Sequence, residues 1–147
     1  MRDVPQIAGI LWSFGREADW LPRGRSRLTD LRMVTLLVRR GHVRVLRDHR
    51  GPVGFIARDG TRIHALYVLR RGRGQGAGRR LLEEAKQQAD WLELWTAEAN
   101  TAARQFYARQ GFLEVLRGDG TGNDEKIPDI HLVWQRSGTL HSERQTA

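Results

Sequence analysis

Arg73-Gly74-Gln75-Gly76-Ala77-Gly78 separates an apolar run, Ile63 to Leu69, from a stretch with helical periodicity, Ala77 to Ala89. Strand, glycine-rich turn and helix start together make a phosphate cradle. Glycines allow the backbone close to a ligand, several N–H groups converge, and the helix N-terminus adds its positive dipole end. Arg70, Arg71, Arg73, Arg79 and Arg80 surround the turn and add attraction for an anion. A glycine-rich hairpin made soluble by arginines is the other reading. The turn alone does not choose between them.

Downstream, Leu81, Leu82 and Ala85 recur on the inward side of the helix, and Trp91 to Thr96 reads as a strand. Asn100 to Gln110 is helical, with Ala103, Phe106 and Tyr107 on one side and Phe106 expected in the core. Gly111 ends it, and Phe112 to Leu116 is a strand. A polar loop, Arg117 to Asp129, leads to a last strand, Ile130 to Trp134. Upstream, Val4 to Trp20 and Asp30 to Arg40 have helical spacing, with a break at Leu21 to Ser26 and an N-cap at Thr29. Three short strands follow, His42 to Leu46, Pro52 to Ala57 and Arg62 to Val68, with turns at Asp48 to Gly51 and Asp59-Gly60. Consecutive strands first and alternating elements later make the class mixed α/β.

The chain has 147 residues, which sets the expectation of one domain, 1–136, and a loose tail, 137–147. Net charge is +8, from 25 Lys+Arg against 17 Asp+Glu, and Lys86 and Lys126 are the only lysines. A nucleic-acid module would spread its basic residues along a face with interleaved aromatics, whereas here they cluster at the turn. No apolar run approaches the roughly 20 residues of a membrane span. Residues 1–5 lack the pattern of a signal peptide, so a bacterial-type cytoplasm is the expected compartment. There is no cysteine. With no thiol, and with His42, His49, His131 and His141 lacking ligand spacing, no metal is expected.

Leu66-Tyr67-Val68, four residues, then Arg73 to Leu82 resembles the cofactor motif of the GNAT (Gcn5-related) N-acetyltransferases. Asn100, Ala103, Phe106-Tyr107 and Gly111-Phe112 resemble the second signature of that family. The match runs from about Arg62 to Phe112, and the wider layout agrees across residues 4–135. The resemblance implies an α/β (α+β) fold, a mainly antiparallel sheet of about six or seven strands flanked by about four helices, with splayed central strands. The start departs from the pattern, since the usual first strand is short or absent.

The resemblance also implies acetyl-coenzyme A as co-substrate. Backbone N–H groups from Arg73 through Gly74, Gln75, Gly76, Ala77 and Gly78 would hold the diphosphate. The pantetheine arm would follow the Tyr67-Val68-Leu69 edge, with an N–H near Val68 facing the developing oxyanion. Asn100 would bond the pantetheine or cap the next helix. Tyr107 would return a proton to the leaving thiolate. For the base, the strand before the cradle carries Arg62 and His64 where relatives often place a carboxylate. His64, Glu93 and Glu98 are therefore the candidates.

Asp119 to Asp129 is a long acidic insertion without the ligand spacing of a calcium loop. The last hairpin of the family borders the acceptor site, so Asp124, Glu125 and Asp129, with Trp20 in the Trp20 to Arg23 elbow, are expected to meet a cationic acceptor. The acceptor is then a small-molecule or peptide amine, attacked directly in a ternary complex. Two alternatives stay open, an inactive acyl-coenzyme A sensor and a basic nucleic-acid module. Oligomeric state is also open, with a homodimer among the options.

Overall fold

A computed structural model describes residues 5, 7–10, 12, 32, 35–40, 42–121 and 127–136. The strands are β1 (Val43–Asp48), β2 (Gly51–Asp59), β3 (Arg62–Val68), β4 (Trp91–Ala97), β5 (Leu113–Gly118) and β6 (Asp129–Gln135). Two long helices, α1 (Ala77–Gln88) and α2 (Thr101–Arg109), and a short 3₁₀ turn, Arg70–Gly72, lie among them. Helical backbone also occurs within 5–12 and 32–39, inside the two helices expected upstream. Hydrogen bonding orders the strands β1-β2-β3-β4-β6-β5. The β1–β2, β4–β6 and β5–β6 pairs are antiparallel, and β3–β4 is parallel. This is the mixed, mainly antiparallel sheet expected of the sequence.

The chain divides into two compact units, Met1–Asp59 with Ile63–Glu83, and Gly60–Arg62 with Glu84–Ala147. In the first, alternation along β3 decides which side chains go inward. Ile63 and Ala65 are buried, while Arg62 and His64 are exposed. Ala65 joins Ile7, Ile10, Phe55 and Ala57 in one apolar cluster, against which Tyr67, Leu69, Leu37, Val38, Val43 and Val45 pack. Leu81 and Leu82 of α1 are also fully buried, as their spacing requires. Gly54 of β2 has no room for a side chain. A Cβ there would lie 2.9 Å from the Tyr67 carbonyl oxygen and 3.2 Å from Val68 Cγ2.

In the second unit, Leu92 and Leu94 of β4 and Ile130 and Leu132 of β6 form the buried face. The register pairs Leu92 with Trp134, Leu94 with Leu132 and Thr96 with Ile130, so one face of this ribbon is apolar apart from Thr96. Arg62, at the start of β3, pairs in parallel with Glu93, whose N–H donates to the Thr61 carbonyl at 2.8 Å. That ladder is a single register pair against seven for β4 and β6. β5 is the terminal strand, and a register shift between Glu114 and Leu116 leaves Leu113, Val115 and Leu116 exposed.

Element ends differ from the sequence reading by a residue or two, and three differences change meaning. Asp48 and Gly51 end strands, so the first turn is His49-Arg50 alone. Arg117 and Gly118 belong to β5 and Asp129 to β6, which shortens the acidic loop at both ends. Tyr107, not Phe106, is the buried aromatic of α2, at 6% exposure. Its ring sits edge-on to both Phe106 and Phe112, each 5.2 Å away. The expected tail, 137–147, lies outside the described residues.

Candidate active site

The first unit holds the cradle. After β3, the Leu69 N–H donates to the Val53 carbonyl at 2.7 Å, and the Leu69 carbonyl accepts from Gly72 at 2.9 Å. The Leu69 main chain is thus committed to the fold. Successive N–H groups of an extended strand alternate sides, so with the Leu69 N–H on β2 the Val68 N–H points away from it. That is the orientation a partner lying along the outer edge of β3 needs. The Val68 carbonyl on that edge accepts from Arg73 Nε at 3.0 Å.

Gly74 and Gly76 adopt φ of +76° and +81°, a backbone region costly for other residues. A Cβ on either would meet nothing within 4 Å, so the ground above the turn is open. The first bond of α1 runs from the Arg80 N–H to the Gly76 carbonyl at 2.9 Å. The N–H groups of Ala77, Gly78 and Arg79 precede it, where a helix has donors without intrahelical acceptors. An open turn at a helix start has the room and the N–H donors that a diphosphate group would need. Two expected members have other duties. The Arg73 N–H closes the short turn onto the Arg70 carbonyl at 3.1 Å. Arg71 reaches back to the β1–β2 hairpin, donating to the Pro52 carbonyl at 3.0 Å and facing Asp48 at 3.4 Å. Asp48 is held below the ordinary aspartate range, first by the Arg50 N–H and further by Arg71.

His64 is exposed on the face of β3 opposite Ala65 and Tyr67. The remaining described candidates lie in the second unit. Asn100 caps α2, its Oδ1 accepting from the Ala103 N–H at 3.2 Å. Glu98 faces Arg117, Oε1 to Nη1 at 2.7 Å. Glu93 instead faces a histidine, with Oε1 3.0 Å from His131 Nε2. The His131 ring stacks on Trp95, 4.8 Å between centroids at 13°. The pair escaped sequence reading because only the β4–β6 register brings positions so far apart together.

At the neck of the acidic loop, the Asp119 carboxylate accepts from the Thr121 N–H at 3.0 Å and its hydroxyl at 2.7 Å. These bonds, the N–H first, hold the Asp119 carboxyl below its usual range. Asp129 lies over Gly118, where a Cβ would collide with its Oδ1. Trp20, Asp124 and Glu125, expected at the acceptor, lie outside the described residues. Among the described residues, no group of three or more His, Cys, Asp or Glu side chains is placed to hold a metal ion. Nor is any helix among them long and apolar enough to cross a membrane.

Comparison with known proteins gives the family. The model of the acetyltransferase (GNAT) domain matches residues 35–132, more than half of the chain and parts of both units. The chain belongs to the GNAT acetyltransferase family. It is similar to the peptidyl-lysine N-acetyltransferase YjaB of Salmonella typhimurium, 33% identical over 87 residues, covering 59% of this chain and 60% of that one. The matched region thus spans about three fifths of that curated relative's length. The solution structure of apo YjaB from Escherichia coli superposes with a TM-score of 0.75 at 26% identity, covering 92% of this chain and 93% of the other. A Bacillus anthracis acetyltransferase structure, in complex with acetyl coenzyme A, shares the fold at a TM-score of 0.58 and 24% identity, covering 63% and 61%.

Proposed function

We propose that this chain is an N-acetyltransferase that moves acetyl from acetyl-coenzyme A to a primary amine by direct attack in a ternary complex. The observation that carries the reading is the open turn at Gly74 and Gly76, which ends β3 and begins α1 in a chain of the GNAT family. Backbone donors from Gly74 through Gln75, Gly76 and Ala77 to Gly78, with the Arg73 side chain beside them, hold the diphosphate. The Tyr67-Val68-Leu69 edge seats the pantetheine, with the Val68 N–H as its polar contact. The co-substrate supplies an activated acetyl thioester; the protein supplies position, a polarising N–H and proton transfer. Asn100 anchors the start of α2 and shares in pantetheine contact. Tyr107 is the proton donor to the leaving sulfur. The base is sought among His64, Glu93 and Glu98.

The acceptor is a cation before it reacts, and the acidic loop favours it: Asp124, Glu125 and Asp129, with Trp20, are its proposed contacts. Because the similar Salmonella protein is named a peptidyl-lysine N-acetyltransferase, a lysine side chain in a peptide heads the acceptor classes to try. The test is release of coenzyme A thiol with lysine peptides, free N-terminal peptides and small amines. Thiol release that depends on one of these amines, with stoichiometric acetylated product, supports the reading. Tight acetyl-coenzyme A binding with no release to any amine favours an acyl-coenzyme A sensor instead.

A further inference from the structure

In the second unit three acidic side chains each face an arginine. Glu98 faces Arg117 at 2.7 Å, Glu114 faces Arg104 at 2.9 Å and Asp90 faces Arg136 at 3.5 Å. A carboxylate bound to a permanent cation has its lone pairs occupied and its negative charge offset. Glu93 differs, because its neighbour is His131.

The β4–β6 register explains how the two meet. Glu93 lies opposite Val133 and Trp95 opposite His131, so Glu93 and His131 are diagonal neighbours on one face. Trp95 stacks under the imidazole and limits its rotation. Asp129, opposite Ala97, continues the same face, and its carboxylate occupies the space that Gly118 leaves beside Trp95. A row results, Asp129, Trp95, His131 and Glu93. Side-chain exposures of 21% for His131 and 23% for Glu93 leave the pair partly open to solvent.

We propose that His131 takes the proton from the incoming ammonium, that Glu93 is its positioning residue, and that Asp129 and Trp95 seat the cation. The inference rests on the transferase reading above and departs from its three candidates, His64, Glu93 and Glu98, by assigning the base to His131. A carboxylate accepts the Nε2–H, which leaves the ring lone pair on Nδ1. In the proposed step one N–H bond of the ammonium breaks and an Nδ1–H bond forms. Neutral amine and imidazolium result, and the imidazolium then passes its proton to water. An imidazole is closer in basicity to an alkylamine than a carboxylate is, so it is the better acceptor for this proton. The Asp129 carboxylate beside the Trp95 indole suits a cation by charge and by ring quadrupole.

The test uses the full chain with acetyl-coenzyme A and the best amine of the panel above. His131→Gln keeps a donor toward Glu93 and removes the lone pair. We expect kcat to fall by about 10²-fold with the amine KM within about twofold and the thermal shift on acetyl-coenzyme A binding retained. Added imidazole should restore part of the turnover of His131→Ala, a response that a packing role would not produce. Nitrogen-15 spectra should show the Nε2–H tautomer for His131 in the wild type and a mixture in Glu93→Gln, which should also turn over more slowly. Wild-type kcat in His131→Gln overturns this proposal alone. Absence of transfer by the wild-type protein to every amine overturns it together with the transferase reading.

Discussion

Arg104 grips Glu114 through two parallel hydrogen bonds, Nε to Oε2 at 2.9 Å and Nη2 to Oε1 at 3.0 Å. Its third nitrogen reaches the Glu98 carbonyl at 3.1 Å, so one guanidinium ties α2 to β5 and to the end of β4. The Arg104 hydrogen bond is the main reason the Glu114 carboxyl is held below its usual range, and the same bond raises Arg104. A depressed folded-state carboxyl contributes stability above its unfolded pKa of about 4.3, and that contribution fades as pH falls through the folded value. Glu114→Gln should therefore lower Tm at pH 7 and match the wild type at the acid end. Melting curves from neutral pH to about 3 check this. High salt should shrink the gap, because the Glu114 side chain is 35% exposed. A residual acid slope should persist in the variant, since Asp48 and Asp119 shift in the same direction.

Gly76→Val separates the cradle from the rest of the fold. Valine at φ +81° strains the backbone by about 1–2 kcal/mol, but a Cβ there meets nothing within 4 Å, so the protein should still fold. Acetyl-coenzyme A at 100 times its Kd should stabilise the wild type by about 2.7 kcal/mol and the variant not at all. A thermal shift that survives the substitution would remove the diphosphate from this turn.

Tyr107→Phe tests the proton donor. The ring lies between Phe106 and Phe112, and phenylalanine preserves that packing. Stability should change by about 1 kcal/mol or less, the usual scale for one neutral hydrogen bond. Turnover should drop by about 10²-fold with acetyl-coenzyme A affinity unchanged. Equal single-turnover rates in the two proteins would make Tyr107 a packing residue.

Gly120→Ala addresses the neck of the acidic loop. Gly120 has φ +94°, and a Cβ there would come within 2.6 to 2.7 Å of Ile127 backbone atoms. Backbone cannot yield as a flexible side chain does, so the variant should lose about 1–3 kcal/mol in denaturant titration. If the loop meets the acceptor as proposed, amine KM should rise while the acetyl-coenzyme A KM stays put.

Much of this was legible in the sequence, and the exceptions have physical causes. Leu81, Leu82 and Ala85 repeat at helical spacing, so the buried side of α1 followed from periodicity. The succession of strands along the chain was legible from short apolar runs between turn residues. Phe106 and Tyr107 are adjacent on one helix, and spacing alone does not rank neighbours. Burial of Tyr107 depends on Phe112, which arrives from beyond the Gly111 turn. Arg71 read as a cradle cation because Asp48, its partner, is 23 positions away. Glu93 read as a candidate base without its partner, because His131 lies 38 positions on and becomes a neighbour only through strand register.

Gly54 has a consequence for how this protein tolerates variation. It carries no functional group, yet any larger residue would push against the Tyr67 carbonyl and Val68 Cγ2, displacing the strand edge proposed for the pantetheine. A saturation-mutagenesis screen scored on turnover would therefore rank position 54 beside the residues of the glycine turn. Its intolerance would be steric in origin, transmitted one strand over, and no ligand contact should be assigned to it on the strength of such a score.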